Sequence, residues 1–134
     1  MLILAIETAS SQAGCAIGGH EGVLASAHTG IGGRHAESIS PQIAFIREQA
    51  GIHFSELGAI AVDVGPGLFT GLRVGIATAI SMAHALTLPV IGISSLDLLA
   101  FPARWTSRLI VSAMDARRGE LFTCLLYTSD AADE

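Results

Sequence analysis

The sequence contains no lysine, no asparagine and only two cysteines. Without lysine there can be no P-loop, which needs a Lys before its Ser or Thr. Without asparagine there can be no N-glycosylation site. Cys15 and Cys124 lie too far apart for the close spacing of a zinc or dithiol motif. The formal net charge of −5, with seven arginines, gives the chain as a whole no basic footprint for nucleic acid.

Common catalytic and metal-binding patterns are missing as well. None of the five histidines has another histidine four residues away, so H-E-x-x-H and related zinc motifs are absent and no metal site is expected. No serine stands in a G-x-S-x-G context, the usual signature of a serine hydrolase. A peptidase therefore has no positive support from the sequence.

Apolar residues, by contrast, are abundant: 51% of the 134 residues are hydrophobic, and the mean hydropathy is +0.58. Such an excess indicates either a membrane segment or an apolar surface that a partner covers. The N-terminus has no basic region before its apolar run, so a secretion signal is not indicated and a cytoplasmic location is expected.

The last eleven residues, CLLYTSDAADE, fit poorly with what precedes them. Their reverse translation resembles the transposon-end adapter used in DNA sequencing libraries. We therefore expect one domain over residues 1–123, a non-native tail over residues 124–134, and a natural protein that is longer. The alternative is an ordinary acidic, alanine-rich C-terminus.

Apolar periodicity predicts the order β-β-β-α-β-α-β-α-β-β, which is typical of an α/β fold with a mixed sheet that starts with antiparallel hairpins. The helices are predicted at Ala36–Ala50, at Leu72–Leu86, and from Ser94 or Ser95 to about Leu99. The strands are predicted at Leu2–Glu7, Gly14–Gly18, Val23–Thr29, Ala59–Val64, Val90–Ile93, Arg108–Met114 and Leu121–Leu126.

A glycine-rich turn, DVGPGLFTGLRVG at residues 63–75, joins a predicted strand to the second predicted helix. Turns of this kind can bind phosphate through N–H groups at the start of the helix. The G-x-G-x-x-G pattern fails here because its sixth position is Thr70. We favour a tight turn with Thr70 as the helix cap, while Asp63 either faces a cleft or caps the turn. The alternative is a vestigial nucleotide or phosphate loop formed by Glu7, Thr8, Asp63, Gly65, Gly67 and Thr70.

Small residues recur every four positions in the second predicted helix, at Gly71, Gly75, Ala79 and Ala83. They form a ridge that allows close approach of another helix. The helix is apolar nearly all round, which is typical of burial on two sides or of a membrane span. A span is not favoured, because the run is only about 17 residues long and contains Arg73 and His84. The ridge therefore predicts a partner interface.

Five segments follow one another along the chain in this order: LAIETAS, GRHAE, GPGLFTGLRVGIATA, IGISSL and DARRGELF. Together they resemble the TsaB (YeaZ-type) family of the bacterial machinery that makes threonylcarbamoyladenosine in tRNA, over residues 1–123. The resemblance implies an actin-like, RNase H-like (ASKHA) ATPase fold whose second subdomain is missing here. The sequence departs from the family at Leu68, where Ser is usual, and at Glu7, where Asp is common.

The resemblance implies a non-catalytic dimerisation subunit that supports a TsaD-type transferase in N6-threonylcarbamoylation of adenosine 37 in tRNA. The implied partners are the TsaD-type paralogue, a TsaE-type ATPase, or a second copy in a homodimer, with tRNA reached only through the complex and no membrane. No cofactor is expected on this chain, because ATP and metal belong to the partner. The alternatives are a nucleotide-binding phosphotransferase of the ASKHA group and a glycoprotease-like peptidase.

The family's partner interface is built from its first two helices, so the resemblance places the interface on the two long helices predicted here. On the first helix we expect it at Ile39, Ile43 and Ile46, and on the second at Gly71, Gly75, Ala79 and Ala83.

Overall fold

The structure is a computed structural model and describes residues 1–30 and 35–126. Part of the GRHAE motif and residues 127–134 of the predicted tail lie outside the described residues, and the predicted boundary at residues 123/124 stays a prediction. The chain forms two compact units, one over Met1–Ile93 and one from Ser94 onward.

The predicted order of strands and helices is confirmed, with short 3-10 helices added at Phe54–Glu56 and Phe101–Ala103. The helices are α1 (His35–Ala50), α2 (Phe69–Leu86) and α3 (Ser95–Ala100). The strands are β1 (Leu2–Glu7), β2 (Ala13–Gly19), β3 (Gly22–Thr29), β4 (Leu57–Asp63), β5 (Val90–Ile93), β6 (Ile110–Arg117) and β7 (Glu120–Leu126).

The first unit is built on a five-stranded mixed sheet in the order β3-β2-β1-β4-β5. The two hairpins β1-β2 and β2-β3 are antiparallel, whereas β4 runs parallel to both β1 and β5. A central parallel strand is covered on both faces, which explains why the sequence of β4, LGAIAVD, is a nearly continuous apolar run. The predicted mixed sheet with an antiparallel start is therefore confirmed.

The core of this unit lies between one face of the sheet and the helices α1 and α2. Alternate residues of the central strands point into it, including Leu4, Ile17 and Ile60, each fully buried. Helix α1 lies over β2 and β3, α2 lies over β4, and the two helices contact each other. This arrangement places α1 and α2 side by side, with their outer faces away from the sheet.

The second unit contains α3 and the β6-β7 hairpin. The Ser94 hydroxyl accepts a hydrogen bond from Leu96 N at 3.1 Å and so caps α3, as one of the two predicted options. The hairpin turns at Arg118 and Gly119, whose φ angles of 56° and 76° match the twist of a tight two-residue turn. This tight turn lets β6 run to Arg117, three residues beyond the predicted end at Met114.

Helix α2 is the one helix among the described residues that is long and apolar enough to cross a membrane by length and composition. Its buried positions are Gly71, Gly75, Ala79 and Ala83, which lie along one side of the helix. A helix of a protein core passes the same test of length and composition. Packing of α2 against the sheet accounts for the ridge of small residues, but only 22% of the helix is buried, so most of its apolar residues lie outside the core.

Cys15 is a buried thiol in the core, only 6% exposed. Burial raises the pKa of the Cys15 thiol to about 11, because the thiolate is poorly solvated there. Its Sγ lies 3.9 Å from Gln42 Oε1 on α1. The residue is therefore a packing group whose thiol stays protonated near neutral pH.

We expect iodoacetamide at pH 8 to alkylate half-buried Cys124 well before Cys15, as measured by peptide mass spectrometry. Since the folded pKa of Cys15 exceeds the unfolded value, its contribution to stability is complete below about pH 9 and is lost as the pH rises towards 11. The melting temperature should fall over this range and should fall less in Cys15→Ala. Equal alkylation rates for the two cysteines would contradict the buried placement.

Candidate functional site

The ridge of small residues on α2 faces the sheet. A Cβ added at Gly75 would overlap Thr8 Oγ1 and would lie 3.5 Å from Ile6 Cγ2. Thr8 is fully buried, and its hydroxyl donates a hydrogen bond to the Gly71 carbonyl at 2.6 Å. The expected orientation of Gly71, Gly75, Ala79 and Ala83 towards a partner was wrong, because these residues let the backbone of α2 approach the end of β1.

The three isoleucines of α1 also point inward. Ile39, Ile43 and Ile46 are at most 4% exposed and belong to the hydrophobic core. Their spacing of four and three residues marks the side of the helix that packs on the sheet. The predicted interface on these side chains is corrected accordingly, although Ile43 also reaches the groove described next.

An apolar groove of about 500 Å³ runs between the outer sides of α1 and α2. Large apolar side chains are exposed elsewhere on the same two helices, with Phe45 54% exposed on α1 and Ile80 56% exposed on α2. We call it the α1-α2 groove, and its lining residues carry no charge: Ser40, Ile43, Ala44, Phe54, Ala77, Thr78, Ser81 and Met82.

The groove contains the hydroxyl of Thr78 beside those of two serines, Ser40 and Ser81. The Thr78 hydroxyl donates to the Val74 carbonyl at 2.7 Å, so it is satisfied within its own helix. Small residues four positions apart, Ser40 with Ala44 and Ala77 with Ser81, keep the groove open on each helix. A search for small residues at this spacing on exposed helix faces would have found these residues from the sequence.

The acid that ends β1 is engaged by its own turn. Glu7 Oε1 accepts hydrogen bonds from Ala9 N at 2.6 Å and Ser10 N at 3.2 Å, and Glu7 Oε2 lies 3.3 Å from the Ser10 hydroxyl. The carboxylate therefore folds back over the β1-β2 turn and stabilises it.

Asp63, the acid that ends β4, plays the corresponding part in the glycine-rich turn. It is 4% exposed, and its Oδ1 accepts a hydrogen bond from Gly65 N at 2.8 Å. Of the two alternatives left open by the sequence, the structure favours the carboxylate that caps its own turn.

The two turns are in direct contact with each other. Leu68 N donates to the Ala9 carbonyl at 2.7 Å, and a Cβ added at Gly67 would lie 2.7 Å from Ala9 Cβ. Helix α2 begins at Phe69 with Leu68 as its N-cap, so the prediction of Thr70 as the cap was wrong. The N–H groups of Ala9, Ser10, Gly65 and Leu68, which a phosphate cradle could use, are donated within the chain.

Potential metal ligands do not gather in the part of the chain that the structure describes. Over residues 1–30 and 35–126, no three His, Cys, Asp or Glu residues are placed so that they could hold a metal ion.

Comparison with known proteins gives consistent matches over most of the chain. The family model described as tRNA N6-adenosine threonylcarbamoyltransferase (TsaD) matches residues 25–132. The tRNA threonylcarbamoyladenosine biosynthesis protein TsaB is 34% identical in Bacillus subtilis, over 93% of this chain and 55% of that protein. The Escherichia coli protein of the same name is 36% identical, over 91% of this chain and 53% of that protein.

The solved structure titled YeaZ from Pseudomonas aeruginosa has a TM-score of 0.86 to this chain at 29% identity. The match covers 97% of this chain and 62% of that one. The chain thus spans about half the length of the curated relatives it matches.

Proposed function

Because this chain belongs to the tRNA N6-adenosine threonylcarbamoyltransferase (TsaD) family, as a TsaB/YeaZ-type member with the predicted ASKHA fold, we propose that it serves in threonylcarbamoyladenosine biosynthesis on tRNA. In this proposal it is a non-catalytic subunit that supports a TsaD-type transferase acting on adenosine 37. ATP and metal would be held by that partner, with a TsaE-type ATPase in the same cytoplasmic complex.

The observation that carries this proposal is the α1-α2 groove. Exposed apolar surface that is continuous along two helices is costly in water and is typical of a protein-binding site. The groove is formed by two neighbouring helices, and its uncharged lining suits helix-in-groove packing. We therefore place the TsaD-type paralogue on this groove, with helices of the paralogue packed against α1 and α2.

The two closed turns support a role without nucleotide chemistry on this chain. An ASKHA phosphotransferase would need the carboxylates of Glu7 and Asp63 to face Mg²⁺ and phosphate. Each of them instead accepts hydrogen bonds from the N–H groups of its own turn. The phosphotransferase alternative is therefore not favoured by the geometry.

Ala77→Arg is the experiment that tests the docking proposal. Ala77 is exposed and lines the groove, so the new side chain should not disturb the core but should place an unpaired charge in the contact. We expect Kd for the TsaD-type paralogue of the same organism to rise about 100-fold, or about 2.7 kcal/mol, in isothermal titration calorimetry.

The control is Ser26→Arg, an exposed position of β3 whose neighbours Ala25 and Ala27 face the core, so that it lies on the side of the sheet away from the groove. It should bind the paralogue with the affinity of the unmodified chain. Equal losses in both variants, or no loss in either, would place the partner elsewhere. Another outcome is that the chain fails to bind the paralogue and associates with itself. If Ala77→Arg abolishes that self-association, the groove is the interface of a homodimer and not of a heterodimer.

A further inference from the structure

The second unit exposes an aromatic and arginine cluster that the docking proposal does not use. In the segment FPARW, Phe101 is 58% exposed and Trp105 is 84% exposed. Arg104 lies between them in sequence and is also exposed. We call Phe101, Arg104 and Trp105 the stacking platform.

The platform is held in place by its own hydrogen bonds. The Arg104 guanidinium carbon lies 3.8 Å from the centroid of the Phe101 ring and 5.0 Å from that of Trp105. Arg104 Nη1 donates to the Phe101 carbonyl at 2.9 Å, and Arg104 N donates to the same carbonyl at 3.1 Å. The guanidinium is therefore fixed over one ring, so that little side-chain freedom is lost when a ligand binds.

This geometry suits one chemical class of ligand. Unpaired nucleobases bind proteins by stacking on aromatic rings and on the flat face of arginine. A tryptophan side chain that leaves 84% of its surface in water, beside a guanidinium already stacked on a ring, presents such faces.

Charge in this part of the chain points the same way. Four of the seven arginines lie between residues 104 and 118, and all four are exposed: Arg104, Arg108, Arg117 and Arg118. The acids of the described part of this unit are Asp97, Asp115 and Glu120, so its formal charge there is +4 − 3 = +1. The first unit, over Met1–Ile93, carries three arginines and six acids, or −3. The whole second unit, Ser94–Glu134, has six acids and a formal charge of −2, so the positive charge is confined to residues 104–118, where four arginines stand with one acid, Asp115. A phosphate backbone would be accepted at that segment.

We infer that the stacking platform binds an unpaired RNA base, with arginines of the second unit contacting phosphate. The inference deepens the proposed role in tRNA modification and rests on it for the choice of RNA as the ligand. It gives the chain a direct contact with RNA, whereas the family resemblance implied that tRNA is reached only through the complex.

Trp105 supplies the test, because it is the only tryptophan of the chain. We expect a ten-nucleotide oligoadenylate RNA, titrated into the 134-residue protein at low salt, to quench its fluorescence as a base stacks on the indole. Arg104→Ala and Phe101→Ala should each raise Kd about tenfold, the usual loss when a stacking partner is removed. Circular dichroism checks that both variants stay folded.

Arg73→Ala is the matched control, since Arg73 is exposed and its guanidinium carbon lies 5.5 Å from the Phe69 ring centroid in the first unit. It removes the same charge and should leave the RNA affinity within about twofold. Absence of quenching, or equal losses for Arg104→Ala and Arg73→Ala, would overturn the inference. The inference would also be overturned if the TsaD-type paralogue quenched the Trp105 fluorescence and RNA did not. The platform would then be a protein contact.

The experiments can refute the inference about RNA and the proposed function independently of each other. Ala77→Arg should weaken binding of the paralogue about 100-fold without changing the RNA titration, because Ala77 and the platform belong to different units. If RNA does not bind while Ala77→Arg still breaks the complex, the platform is refuted and the proposed function stands.

Discussion

Gly75→Leu is expected to abolish folding of the first unit. A side chain at Gly75 meets Thr8 Oγ1 directly, and Thr8 is fully buried beneath the helix. Helix α2 would have to lift from the end of β1 and break the hydrogen bond from Thr8 to the Gly71 carbonyl. Overpacking on this scale costs more than about 5 kcal/mol, comparable with the total stability of a small domain. Far-ultraviolet circular dichroism and urea unfolding measure the loss.

The smaller change Gly75→Ala tests whether the loss of stability comes from the contact with Thr8 or from replacing this glycine in general. It should lower the free energy of unfolding by about 2–3 kcal/mol, although alanine is the better helix former. In Thr8→Ala/Gly75→Ala the hydroxyl that obstructs the new methyl group is gone, so the double variant should be more stable than the sum of the single changes predicts. Ala85→Leu, at an exposed position of the same helix, should be nearly neutral. If Gly75→Leu folds normally but loses its partner, the ridge is an interface after all.

The orientation of α2 shows where reasoning from the sequence ends. Spacing identified the ridge at Gly71, Gly75, Ala79 and Ala83, and the structure confirms that these residues share one side of the helix. Spacing alone does not say whether a sheet or another helix fills that side. The choice is made by Thr8, a residue more than sixty positions away, whose hydroxyl meets the helix backbone at Gly71.

The bounds of some elements could be predicted closely and those of others could not. Leu2–Glu7 was predicted to the residue, because an apolar run bounded by an acid and a turn leaves little choice. The start of α2 was placed at Leu72, three residues late, since Thr70 has the better capping side chain. The helix begins at Phe69 because Leu68 N already donates to the Ala9 carbonyl. This is a tertiary contact, which local sequence propensities do not predict.

The exposed groove was missed for a related reason. Isoleucines of α1 stand out in the sequence, so Ile39 and Ile46 were assigned to the interface, yet the sheet needs them for its core. What is left for a partner is the less conspicuous set of small residues that line the groove, such as Ala44 and Ala77. The residues that remain on the surface can be identified only once the residues that fill the core are known.

Gly67→Ala is expected to destabilise the first unit by about 3 kcal/mol. The added methyl group would meet the Ala9 carbonyl oxygen and would lie 2.7 Å from Ala9 Cβ. These atoms belong to or adjoin the backbone, so they cannot turn aside as the end of a flexible side chain can. The turn must move away from Ala9, and the hydrogen bond from Leu68 N at 2.7 Å is lost. Thermal unfolding followed by circular dichroism measures the change.

Gly30→Ala is the matched control, because a Cβ added at Gly30 meets nothing within 4 Å. The difference between the two variants isolates the contact between the turns from the general effect of replacing glycine. This contact, together with the carboxylates of Glu7 and Asp63, uses the N–H groups of Ala9, Ser10, Gly65 and Leu68 within the chain. If Gly67→Ala proves as stable as Gly30→Ala, the two turns separate at little cost. The N–H groups of the two turns would then be available to a phosphate, which would favour the phosphotransferase alternative.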